Sequence, residues 1–114
     1  MICHSENPRA RIYDNLRSRF PHIFPPDLMV ITAGVKAIIR MGKPGSCMEV
    51  LDMTELGESI RSFDDFTEAN DPDGEHDFGS FRFRGMKLFW KIDDYSRQPD
   101  PYRYVLTVML ADEY

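Results

Sequence analysis

The chain reads as an α+β domain, with a small antiparallel sheet of about three to four strands and two helices packed on one face. Three observations lead there. Ile12, Leu16 and Phe20, and again Met53, Leu56, Ile60 and Phe63, recur at helical spacing. Phe81 and Phe83, then Leu88, Trp90 and Ile92, alternate with polar or outward positions as strand residues do. The length of 114 residues supplies one hydrophobic core and leaves no second one to be built, so a single domain over 1–114 is expected, with residues 1–7 as a mobile tail.

The first helix is predicted over Pro8 to Phe20, with Arg9, Arg11, Arg17 and Arg19 on its polar side, and it stops at Pro21. The proline-punctuated segment Pro21-His22-Ile23-Phe24-Pro25-Pro26 connects it to Leu28-Met29-Val30-Ile31-Thr32, whose apolar and β-branched residues suit a buried strand. Gly34 breaks or bends that strand. Val35 to Met41 fits either more strand or a short helix, because so few residues give no decisive period. Gly42-Lys43-Pro44-Gly45 is a turn, and Ser46 with Glu49 has the spacing of a capping box opening the second helix. Gly79 to Arg84 and Lys87 to Asp93 form a hairpin about Gly85, and Tyr104 to Leu110 is a last strand after the loop Ser96 to Pro101. Met48, Met53, Met86 and Met109 read as core filling.

Composition narrows the function classes. With 42% hydrophobic and 29% charged residues, the chain is not globally disordered. No apolar run is long enough to span a bilayer, and Met1-Ile2-Cys3-His4-Ser5-Glu6 lacks the regions of a signal peptide, so a cytoplasmic location is expected. Cys3 and Cys47, without CxxC spacing, read as free thiols. The net charge of -5 is unevenly held: residues 44–77 carry one Lys/Arg against eleven acids, whereas 1–43 carry seven against three. A localised negative surface favours cations or basic protein patches and repels nucleic-acid backbones.

Between Asp64 and Asp77 lie seven carboxylates, one histidine and no Lys or Arg. Like charges so close repel unless a cation, a basic partner or loop hydrogen bonds compensate. An EF-hand does not fit: with Gly74 at position six, Asp71 and Asp73 are placed correctly, but Ala69 falls first and Ser80 last. Asp71, Asp73, Glu75, His76 and Asp77 remain an alternative irregular site for a divalent ion. The turn reading outweighs it, since Asp, Asn, Pro and Gly are what loops require in any case; no cofactor is therefore expected. His76 beside Asp77, with an unperturbed pKa of about 6.5, has the chemistry of a general base, but a lone His beside acids is more often a structural hydrogen-bonder. GxSxG, P-loop and HExxH motifs are lacking.

On the outer face of the hairpin, Arg82, Arg84, Lys87 and Lys91 would flank Phe89, with Arg103 alongside, a pattern that single-stranded nucleic acid could use. The same pattern describes the wet side of any such sheet, and this ordinary reading is preferred.

The stretches FDDFTEANDPDGEHDFGSF, KLFWKIDDY and VLTVMLADEY, with ITAGV upstream, resemble the short bacterial proteins of domain-of-unknown-function family 3768. The resemblance implies a small bacterial domain of the kind carried by plasmids or phages. It supplies no activity and no catalytic residues. Gly34 to Gly57 is longer than the family pattern.

Two functions from different classes follow. The preferred one is a non-catalytic binding module whose Glu49, Asp52, Glu55, Glu58, Asp64, Asp65 and Glu68 engage a basic surface on a protein partner. Its sharpest form is a phage- or plasmid-borne, anti-CRISPR-like inhibitor whose carboxylates mimic nucleic-acid phosphates. The alternative is a metal-dependent hydrolase or nuclease built on Asp71, Asp73 and Asp77, with His76 handling protons.

Overall fold

Pro8 has no amide hydrogen to leave unbonded at a helix start, and it opens α1 (Pro8–Ser18). The computed structural model describes residues 8–39, 47–96 and 103–114, and the side chains of all of these except 47–50. The expected tail, the turn 42–45, the Ser46/Glu49 capping box and the thiols Cys3 and Cys47 lie outside what is described. After α1 come β1 (Leu28–Ile31), α2 (Ala33–Ile39), α3 (Cys47–Arg61), β2 (Phe78–Phe83), β3 (Met86–Asp94), β4 (Tyr104–Leu110) and a 3-10 turn at Ala111–Glu113. The class is α+β, with three helices and a four-stranded sheet in the order β1-β4-β3-β2.

The sheet departs from the antiparallel expectation at one edge. β2, β3 and β4 run antiparallel, but β1 pairs in parallel with β4, Leu28 opposite Val105 and Ile31 opposite Val108. Alternation along a strand encodes which side is buried and says nothing of a neighbour's direction, so this was not readable in advance. The segment left open between strand and helix is the helix α2, which buries Val35, Ile38 and Ile39 at i, i+3 and i+4.

The hairpin forms as predicted. Arg84 and Gly85 both have positive φ, 54° and 77°, between paired Phe83 and Met86, the two-residue turn whose twist matches the strands it joins. Buried Leu88, Trp90 and Ile92 of β3 and Leu106 and Val108 of β4 join Leu56 and Ile60 of α3, Val35 and Ile38 of α2, and Tyr13 and Leu16 of α1 in one core cluster.

α1 is rotated relative to the expected stripe. Ile12 is 41% exposed, whereas Ala10, Tyr13, Leu16, Arg17 and Phe20 are buried. The 3-4 spacing of positions 10, 13, 17 and 20 marks the inward side, with an arginine in its middle.

The chain's last described turn is tied back to α2. Glu113 accepts hydrogen bonds from Thr32 Oγ1 (2.6 Å), the Leu110 amide (2.9 Å) and the Gly34 amide (3.1 Å). The Thr32 bond, then the Leu110 amide, hold its carboxyl below the usual range. A folded pKa below the unfolded one stabilises above the unfolded pKa and loses that contribution as pH falls through the folded value. Replacing Glu113→Gln is therefore expected to reduce stability at pH 7 and to flatten the loss on acidification below about pH 4.5. Urea unfolding of both proteins at pH 7 and pH 3.5 checks this; parallel losses on acidification would exclude it. No helix among the described residues is long and apolar enough to cross a membrane.

Candidate functional site

The acidic segment leaves the C-terminal end of α3, turns twice, and enters β2. Its first turn is knotted by Asn70: the Thr67 amide donates to Asn70 Oδ1 (2.9 Å), the Asn70 amide to Thr67 Oγ1 (3.3 Å), and Asn70 Nδ2 to the Asp65 carbonyl (2.9 Å). The second is organised by Asp71, 7% exposed, whose Oδ1 accepts the amides of Glu75 (3.0 Å) and His76 (3.2 Å). Gly74 and His76 take left-handed backbone with φ of 65° and 58°. That conformation is easy for glycine and uncommon for histidine, and the bonds from Asp71 hold it.

His76 is thereby pressed inward. It is 4% exposed, its ring stacks on Phe66 with centroids 3.8 Å apart and planes at 1°, and Nδ1 lies 2.8 Å from Asp14 Oδ1 on α1. Nε2 lies 3.7 Å from Asp71 Oδ2. The ring is thus covered on one face by Phe66 and held at Nδ1 against Asp14.

Beneath this loop sits Arg17, 5% exposed. Nε donates to the Ile60 carbonyl (2.9 Å), Nη2 to the Phe63 carbonyl (2.8 Å) and Nη1 to Asp14 Oδ1 (3.2 Å). Its guanidinium carbon lies 4.9 Å from the Trp90 ring centroid and 5.3 Å from that of Phe66. The last carbonyls of a helix have no intrahelical partner, and a cation there also meets the negative end of the helix dipole. Arg17 thus caps α3 from α1. Arg61 returns the contact, donating Nη1 at 2.7 Å to the Phe20 carbonyl in the turn that follows α1. Burial pulls the Arg17 guanidinium below its ordinary pKa, against the Asp14 carboxylate that favours its charge. Neither Asp14 nor Arg17 was singled out from the sequence; the signal was there in the 10-13-17-20 spacing, read instead as part of a polar side.

The remaining expected site residues separate into three groups. Asp52 is 6% exposed with its carboxylate held by Arg84 from the hairpin turn, so it is a structural anchor and is removed from the outward acidic surface. Glu55 shares that arginine at 3.3 Å, while Glu58, Asp64, Asp65 and Glu68 are exposed; Glu49's side chain lies outside the described residues. Asp71, Asp73, Glu75, His76 and Asp77 do not converge: among the described residues no group of three or more His, Cys, Asp or Glu is placed to hold a metal ion. Glu75 Oε2 lies 3.7 Å from Arg9 Nε instead. Burial raises the Asp77 carboxyl above its ordinary range, and the charges of Asp71, Asp73 and Asp93 add to that.

The hairpin cations are only partly gathered. Arg82 and Lys87 are cross-strand partners, and Lys87 Nζ lies 5.5 Å from the Phe89 centroid. Lys91 is paired with Asp93 at 3.2 Å, and Arg84 is turned to α3. Phe89 packs against Phe78 (5.0 Å) and Tyr114 (5.4 Å).

No curated protein and no solved structure matches the chain. The family model described as protein of unknown function (DUF3768) matches residues 31–113, which takes in the acidic loop, the hairpin and β4 but not Asp14 or Arg17. The chain belongs to that family.

Proposed function

We propose that this protein is a non-catalytic binding module that offers the exposed carboxylates of α3 and the following loop to a basic surface on a protein partner. The observation that carries this reading is the contrast between the loop's two sides. Arg17, Asp71 and Asn70 are spent on hydrogen bonds to the loop's backbone, and the buried His76 ring is held against Asp14. Outside, Glu58, Asp65 and Glu68 are exposed and enter no ion pair among the described residues. Carboxylates displayed on a fixed frame lose little freedom when a partner meets them, which is where preorganisation raises affinity.

A partner whose basic surface normally holds a phosphate backbone is the most specific form of this reading. The protein would then act as an inhibitor that occupies such a surface in place of nucleic acid, as an anti-defence or anti-CRISPR-like protein does. The hydrolase alternative is weaker, because the histidine it needs is covered by Phe66 and Asp71's carboxylate is committed to two amides.

Opposed charges steer association and are screened over about 10 Å at 0.1 M salt. A partner identified by affinity capture from bacterial extract should bind the purified protein with an association rate that falls steeply between low and high salt. A rate indifferent to salt would remove the electrostatic basis of the proposal.

A further inference from the structure

The free edge of β2 is a feature of the fold that does not depend on the acidic surface. In the order β1-β4-β3-β2 this strand has a neighbour on one side only. It pairs with β3 residue for residue, from Phe78 opposite Lys91 to Phe83 opposite Met86, without a bulge. Phe83 and Met86 flank the two-residue turn and the Asp77 carbonyl accepts the Ile92 amide, so the positions of β2 that bond to β3 are Gly79, Phe81 and Phe83. Phe78, Ser80 and Arg82 therefore turn their amides and carbonyls away from β3. Among the described residues, no backbone group of another segment bonds to them.

Sheet edges that stay single are usually short or guarded by proline, lysine or a bulge. β1, at the opposite edge, is only 4 residues long and closely follows Pro25 and Pro26. β2 has 6 residues, no proline and one charged side chain, the exposed Arg82. Its two faces are also self-complementary. When two copies are laid antiparallel about Ser80, Phe78 of each falls opposite Arg82 of the other, and Gly79 of each opposite Phe81 of the other. On the outer face a guanidinium thus meets an aromatic ring. Arg82 makes one hydrogen bond among the described residues, Nη1 to the Gly85 carbonyl at 3.1 Å, and that bond is exposed. On the helix side Gly79 offers no side chain, and the half-buried Phe81 of the second copy covers it beside the partly buried Phe63 ring.

We infer that β2 is the docking edge for a second copy of this chain, joined antiparallel about a two-fold axis at Ser80 so that the two four-stranded sheets become one continuous sheet. The same patch serves both copies, as a two-fold interface requires. Each outward pair exchanges two bonds, so the three pairs formed by Phe78, Ser80 and Arg82 supply about six backbone hydrogen bonds. Backbone bonds carry most of the affinity when a strand is added to a sheet edge. The contact is a strip and belongs at the small end of interfaces, which sets self-association on the order of 10–500 µM.

Sedimentation velocity of the full chain between about 5 and 500 µM should show a monomer–dimer equilibrium. Ser80→Lys sets like charges directly opposite each other at the axis, and Ser80→Pro removes an amide hydrogen that β3 does not use; each should weaken the dimer by about tenfold or more. Melting curves identify a variant that fails to fold, and the other then suffices. Residue-resolved amide exchange reads the edge in the unmodified protein: the Ser80 and Arg82 amides should slow as concentration rises, whereas those of Phe81 and Phe83, already bonded to β3, should not. A monomer at every concentration, a dimer undiminished in a folded Ser80 variant, or a dimer whose Ser80 and Arg82 amides exchange as fast as the monomer's would each overturn the inference.

Discussion

Arg17→Met is expected to destabilise the protein by about 3 kcal/mol, the order expected when buried carbonyls lose a charged hydrogen-bond donor. Methionine keeps much of the stem's apolar volume against Trp90 and Phe66 but leaves the Ile60 and Phe63 carbonyls without their donors. The cost of unpartnered buried acceptors, on the order of 1–3 kcal/mol each, exceeds what desolvating the guanidinium saves. Arg17→Lys should recover less than half, since a single ammonium cannot span two carbonyls and a carboxylate that the planar fork reaches together. Urea unfolding measures the loss. Amide exchange adds a local signature, because the α3 end and residues 64–77 should exchange faster than β3 and β4. A loss below 1 kcal/mol would show that Arg17 is not the brace described.

Gly79→Ala should also destabilise, by about 1–3 kcal/mol, although alanine is ordinarily the better strand residue by roughly 0.5–1 kcal/mol. The sign turns on space. A Cβ at Gly79 would lie 2.5 Å from Trp90 Nε1 and 2.7 Å from Phe63 Cζ. Neither ring can yield easily: Trp90 is fully buried, packed edge-on against Phe63 at 5.4 Å and under Arg17 at 4.9 Å. The protein has one tryptophan, so its fluorescence reports this contact directly. An unchanged emission maximum together with unchanged stability would mean that the sheet accommodates the methyl group, and that Trp90 is not the fixed platform on which the loop rests.

Much of the fold was legible because burial and period coincide. Leu88, Trp90 and Ile92 alternate, Leu56 and Ile60 lie four apart, and Gly85 sits where the hairpin needs positive φ. The loop's bracing was legible in kind, since Asn70 and Asp71 make the turn bonds that such residues favour. What failed did so for long-range reasons. Nothing local marks β1 as parallel to β4, and Asp52 looks like any helix-surface acid until the hairpin brings Arg84 across it. Arg17 was misread because a basic residue on a short helix is assigned to water by default, and only the distant ends of α3 and its loop give a buried guanidinium something to hold.

These errors sharpen the functional proposal by removing Asp52 and reducing Glu55 as contact residues, which leaves Glu58, Asp64, Asp65 and Glu68 as the outward set. The most direct measurement is the equilibrium affinity of the captured partner for the unmodified protein and for Glu58→Lys/Asp65→Lys, with thermal melting of both. Exposed positions of this kind change stability by only about 0.5 kcal/mol, so the melting temperature should hardly move. The affinity should fall by tenfold or more, on the order of 1.4 kcal/mol. An affinity unchanged by reversing both charges, with the fold intact, would contradict the binding role of the acidic surface.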